Sequence, residues 1–69
     1  MDRESISSSN IVSAGYDYAS ETMEIEFKNG AVYQYYNVNA NLYEEFLSAP
    51  SKGQFFHAYI RYAVPFSRV

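Results

Sequence analysis

Cysteine is absent from this 69-residue chain, and so is tryptophan. Without cysteine, neither disulfides nor thiolate metal sites are available to hold a small fold together. A single histidine, His57, excludes a histidine-rich metal site. Basic side chains are few: Arg3, Lys28, Lys52, Arg61 and Arg68 stand against 8 acidic residues, for a formal net charge of -3. That balance argues against a general grip on phosphate backbones, although three of the five basic residues fall from Lys52 onward and could form a small local patch. No apolar run approaches the roughly 18 residues of a membrane span. The segment Met1–Ser5 lacks the basic-then-apolar layout of a signal peptide. A cytoplasmic protein that does not use a membrane is therefore expected.

What the chain does have is rings. Eight tyrosines and five phenylalanines bring the aromatic share to 19% and the apolar share to 48%. At about 25 cal/mol per Å² of buried apolar area, a few such side chains suffice for a small core. The length is near the lower limit for one self-sufficient domain and excludes two. Eight tyrosines exceed what so small a core needs. They either wedge at the core edge with hydroxyls in water or form a binding face.

The first nine residues are polar, include Ser7-Ser8-Ser9, and read as a flexible lead-in to a domain over residues 10–69. Ile11–Tyr18 reads as a first strand, with Gly15 marking a bulge or a close backbone contact. Thr22–Phe27 alternates: Met23, Ile25 and Phe27 on one face, Glu24 and Glu26 on the other, the period of a half-buried strand. Ala31–Val38 returns from it. A two-residue loop at Asn29-Gly30 would oppose Ile25 to Gln34. A three-residue loop, Lys28–Gly30, opposes Phe27 to Ala31, Ile25 to Tyr33 and Met23 to Tyr35, so all the rings share a face. The longer loop is predicted, with Gly30 at positive φ.

Two helices follow. Asn39 is the expected N-cap of the first, with Val38 and Tyr43 as a hydrophobic staple; Leu42, Tyr43, Phe46 and Leu47 form its stripe, and Pro50 ends it. Ser51 caps the second in a box with Gln54, and Phe55, Phe56, Tyr59 and Ile60 form its buried side. The tail through Phe66 is expected to fold back. The predicted class is α+β: a three-stranded antiparallel meander followed by two helices packed on one face.

The order Gly15-Tyr16, Met23-Glu24-Ile25-Glu26-Phe27, Gly30, Tyr33-Gln34-Tyr35 and Val38, then Phe46-Leu47, Ala49, Ser51-Lys52-Gly53, Phe56 and Ile60-Arg61, resembles the KTSC domain. That family is named after a C-terminal extension of some lysyl-tRNA synthetases and also occurs as stand-alone bacterial and phage proteins. The resemblance runs from about Ser9 to Val69. Asn39 stands where members often carry proline, and Pro50 is inserted ahead of Ser51. The synthetase association implies RNA binding by analogy.

Candidate chemistry is confined to a few positions. Ser51, Lys52 and Gly53 open a helix, where free N–H groups and an ammonium suit an anion, or form an ordinary capped terminus with a solvated lysine. Arg61 joins them only if the following turn brings it near. Tyr33 and Tyr35 either stack on unpaired bases or lie under the helices against Ile25 and Met23; their burial decides. Glu24 and Glu26 are expected to keep the outer sheet face soluble and acidic. His57 is tied to no serine, cysteine or carboxylate, so no catalytic centre is expected. No cofactor is implied. The expectation is a small non-catalytic binding module, with RNA or another nucleic acid as partner. The alternative is a protein-interaction or homodimerising module that uses its surplus aromatic surface.

Overall fold

The computed structural model describes residues 1–69. Strands β1 (Arg3–Ser5), β2 (Ile11–Asp17), β3 (Thr22–Phe27) and β4 (Val32–Tyr35) precede helices α1 (Ala40–Ser48) and α2 (Lys52–Tyr59), and strand β5 (Phe66–Arg68) closes the chain. The α+β class is as expected, but the sheet has five strands, in the order β1-β2-β3-β4-β5, where the sequence indicated three. Every neighbouring pair is antiparallel. The two additional strands are both three residues long and lie at the edges.

The residues read as a flexible lead-in are the first correction. Arg3, Glu4 and Ser5 pair with Gly15, Ala14 and Ser13. Ile6 is buried in the core and its N–H bonds the Val12 carbonyl at 3.0 Å. The close approach foreseen at Gly15 is made by this strand. A Cβ built on Gly15 would stand 2.3 Å from the Asp2 carbonyl oxygen, so only glycine lets β1 lie so near. At the other end, Phe66 and Arg68 pair with Tyr35 and Tyr33, so the tail is a strand that docks beside β4.

The β3–β4 hairpin has the register of the three-residue loop. Ile25 pairs with Tyr33 and Met23 with Tyr35. The Phe27 N–H bonds the Ala31 carbonyl at 2.9 Å, and Gly30 adopts φ 90°. This places Met23 and Ile25 in the core with Tyr35, while Glu24 and Glu26 face outward.

Both helices begin as their caps require. The Asn39 side chain accepts the Leu42 N–H at 2.8 Å, and Val38 and Tyr43 are both buried. Ser51 Oγ accepts the Gln54 N–H at 3.4 Å, but the Gln54 side chain does not reach back, so the box is half formed. Phe46, Ile11, Met23, Ile25, Ile60 and Val38 are the largest fully buried side chains, and each contributes on the order of 1.5–3 kcal/mol by burial. The expected stripe on α2 is only partly buried: Phe56 and Ile60 enter the core, whereas Tyr59 is 59% exposed. An eight-residue helix packed on a narrow sheet turns only one ridge inward.

Candidate nucleic-acid interface

α1 gives way at Ala49 and Pro50, and the chain re-enters a helix at once. That leaves the first N–H groups of α2 at the surface beside Ser51, Lys52 and Gly53. The Lys52 ammonium folds back onto the Ala49 carbonyl at 3.4 Å. Gly53 lies against the segment that links β1 to β2; a Cβ there would meet Ser8 Oγ at 3.2 Å. Between that segment and the start of α2 is a depression of about 510 Å³. Ser7, Ser8 and Ser9 form one wall, Lys52 and Gly53 the other, and exposed His57 closes one side; Pro50 is its one apolar side chain, and no carboxylate lines it.

A second cleft, of about 360 Å³, opens on the helix side of β4. The register sends Tyr33 and Tyr35 to this side, and their environments differ. Tyr35 is 3% exposed, with its ring 5.0 Å from that of Phe56. Tyr33 is half-buried between Phe27 and Phe66, at 5.9 and 6.0 Å. Burial pushes the Tyr35 hydroxyl up to about 12, with the nearby Arg61 charge opposing, so the hydroxyl remains a proton donor. Arg61 arrives because the preceding Ile60 is fully buried and fixes the exit of α2. Its guanidinium lies 5.2 Å from the centroid of the Tyr62 ring, a cation–π contact. Tyr62 is 75% exposed. Asn10 and Asn29 complete the rim, and Asn10 also lines the polar depression, so the two sites adjoin.

The charges are segregated. Arg3 is held by Glu24 and Glu26 on the outer face of the sheet. Lys28, Lys52, Arg61 and Arg68 make no ion pair. Lys52 and Arg61 line the two sites, the Lys28 N–H bonds the Asn10 carbonyl at 3.0 Å, and Arg68 lies opposite Tyr33. Neither site contains an aspartate or glutamate. Two of the four unpaired cations, Lys52 and Arg61, thus line one pair of adjoining depressions on an acidic protein.

Ser51, Lys52 and Gly53 come together as read from the sequence. Arg61 does not join them; it meets Tyr33 and Tyr35 in the aromatic cleft instead. Tyr35 belongs mainly to the core, and Tyr33 divides its ring between core and cleft. Sequence reasoning missed Tyr62, Asn10, Asn29 and the three serines. Asn29 carried only a turn signal, and Asn10 and the serines resembled linker. Tyr62 had one usable signal, an aromatic next to an arginine beyond the end of a helical stripe. No group of three or more histidine, aspartate or glutamate side chains is gathered to hold a metal ion, and no helix is long and apolar enough to cross a membrane.

Comparison with known proteins is consistent across sequence and structure. Residues 7–63 match the family described as KTSC domain. A lysine–tRNA ligase of Trichormus variabilis is 44% identical over 46 residues, which are 67% of this chain and 8% of the ligase. The chain therefore spans only a small part of that relative. An uncharacterized protein of Stutzerimonas stutzeri is 37% identical over 57 residues, covering 83% of this chain and 80% of that protein. The crystal structure of a KTSC domain protein from Yersinia pestis superposes with a TM-score of 0.93 at 38% identity, covering 99% of this chain and 96% of that one.

Proposed function

The chain belongs to the KTSC domain family, and we propose that it acts as a small non-catalytic module that binds single-stranded RNA. One observation carries the reading. A cleft walled by tyrosine and phenylalanine rings and bearing Arg61 adjoins a polar depression bearing Lys52 and His57, and neither has a carboxylate. Unpaired bases stack on aromatic rings, while phosphates seek ammonium groups, hydroxyls and free N–H groups. Tyr62 and Tyr33 serve as the stacking surface, and Lys52, Gly53 and the Ser7–Ser9 hydroxyls as the phosphate contact. The lysine–tRNA ligases that carry a similar segment are named for a tRNA, which agrees with this ligand class. The outer sheet face, with Glu24 and Glu26, takes no part.

The test is a titration with tRNA and short single-stranded RNA at low salt, read by backbone amide shifts. Shifts confined to Ser7–Asn10, Ser51–Gly53 and Arg61–Tyr62 are expected. Affinity should fall as salt rises, with a log–log slope of about -0.7 per phosphate contacted. An unperturbed spectrum would remove the reading. A second reading, self-association or a protein partner, draws on a different surface. Leu42, Phe55 and the exposed ring of Tyr59 line a shallow groove between α1 and α2. Concentration-dependent sedimentation, lost on Tyr59→Ser, is the outcome that would favour it.

A further inference from the structure

Resting on the RNA-binding reading, we infer that the aromatic cleft selects guanine. The cleft is small, at about 360 Å³, near the lower end of ligand-sized pockets, with room for a single nucleobase. Its rings set the plane of a base; its rim sets which base. The Asn29 side-chain oxygen is engaged, since it accepts the Ala31 N–H at 3.0 Å. That bond fixes the orientation of the amide, takes one lone pair of its oxygen and leaves both donors of the NH₂ group free for a ligand. The Arg61 guanidinium forms no ion pair and no side-chain hydrogen bond, and it can only donate. The Tyr35 hydroxyl stays protonated and has no partner within the chain. With no carboxylate in the cleft, no lining side chain is a pure acceptor, whereas Arg61 is a pure donor.

Such a rim suits a base edge that carries acceptors. Guanine presents O6 and N7 side by side, the pair that an arginine fork engages in two hydrogen bonds. Adenine places an NH₂ donor where guanine has O6, and would set donor against donor. The source of the guanine, a free nucleotide or a residue within an RNA strand, is left to the experiment.

The full-length protein is titrated with GMP, AMP and 7-deaza-GMP, and with otherwise identical oligouridylates carrying one central G or one central A. Amide shifts at Asn29, Tyr33, Arg61 and Tyr62 give the dissociation constants. GMP is expected to bind roughly tenfold or more tightly than AMP, with 7-deaza-GMP in between because it lacks N7. The exposed Arg61→Lys substitution keeps the charge but not the fork, and should remove the preference while the spectrum stays folded. Discrimination by oligonucleotides but not by mononucleotides would support the inference with strand guanine as the ligand. Discrimination by both would support it for either source. Equal affinity for G and A ligands, or RNA shifts confined to Ser7–Ser9 and Lys52, would overturn the guanine inference and leave RNA binding standing. No shift with any ligand would overturn both.

Discussion

Arg3 on β1 reaches over Gly15 on β2 and donates to the carboxylate of Glu24 on β3. These residues stand in one row, since Arg3 pairs with Gly15 and Gly15 with Glu24. The row continues through Gln34, whose side chain donates to Glu24 at 2.9 Å, to Ser67 on β5. A missing side chain in the second strand is what lets the first and third communicate.

The acid limb of stability should depend on this pair. Burial pushes the Glu24 carboxyl up, but the bonds from Gln34 and Arg3 and the Arg3 charge outweigh it, and its pKa is lowered. A carboxylate with a lowered folded-state pKa stabilises the fold fully above its unfolded value of about 4.3, and that stability is lost as pH falls through the folded value. Glu24→Gln is therefore expected to cost about 1–2 kcal/mol at pH 7 and to flatten the decline below about pH 4. Urea unfolding at a series of pH values checks both. A variant with the same acid slope as the parent would show that Glu24 is not its source.

Gly15→Ala should cost about 2 kcal/mol, in the range of overpacking. The obstruction is the Asp2 backbone at 2.3 Å, which cannot rotate away, so the edge strand itself must move. Hydrogen exchange locates the damage. Protection should fall at the Ile6 N–H and along β1, while β3 and β4 keep theirs.

The reach of the sequence follows from where period and sterics leave a mark. The β3–β4 register was legible because Met23, Ile25 and Phe27 must share a face with Tyr33 and Tyr35, and only one loop length allows it. The edge strands left no such mark. Arg3-Glu4-Ser5 and Phe66-Ser67-Arg68 are too short for a period of two to emerge, and they are polar or exposed because one side of each faces water. Their placement depends on tertiary docking, against Gly15 in one case and Tyr35 in the other. The candidate sites divide in the same way. Ser51, Lys52 and Gly53 are contiguous and were visible; the meeting of Arg61 with Tyr33 depends on how α2 exits at Ile60, which local pattern does not encode.

Gly30→Ala isolates a purely conformational cost. The residue holds φ 90°, and nothing lies within 4 Å of a Cβ built there. The expected loss is about 1 kcal/mol, from forcing an L-residue into the left-handed region. A larger loss accompanied by a changed hairpin register would mean that Gly30 does more than permit the turn.

Tyr35 and Tyr43 are both pushed up to about 12 from 10.0, chiefly by burial. A raised folded-state pKa means that stability is intact below about pH 10 and declines as pH rises from there through the folded value. Ultraviolet titration should show a late tyrosine fraction that ionises near or with unfolding. Tyr35→Phe should weaken the alkaline decline without loss of fold.

Structure and binding should separate between two rings of the same cleft. Tyr35 is 3% exposed, so Tyr35→Ala opens a cavity and is expected to cost about 3 kcal/mol or more. Tyr62 is 75% exposed, so Tyr62→Ala should change stability by less than about 1 kcal/mol, including its contact with Arg61. If Tyr62 is a stacking surface, the same substitution removes about 1–3 kcal/mol of RNA affinity. Thermal melts and RNA titrations on the two variants give the four numbers needed. A stable Tyr62→Ala protein that binds RNA as the parent does would remove Tyr62 from the interface. Unchanged melting with weakened binding would mark the exposed rings as surplus to the fold and used by the ligand.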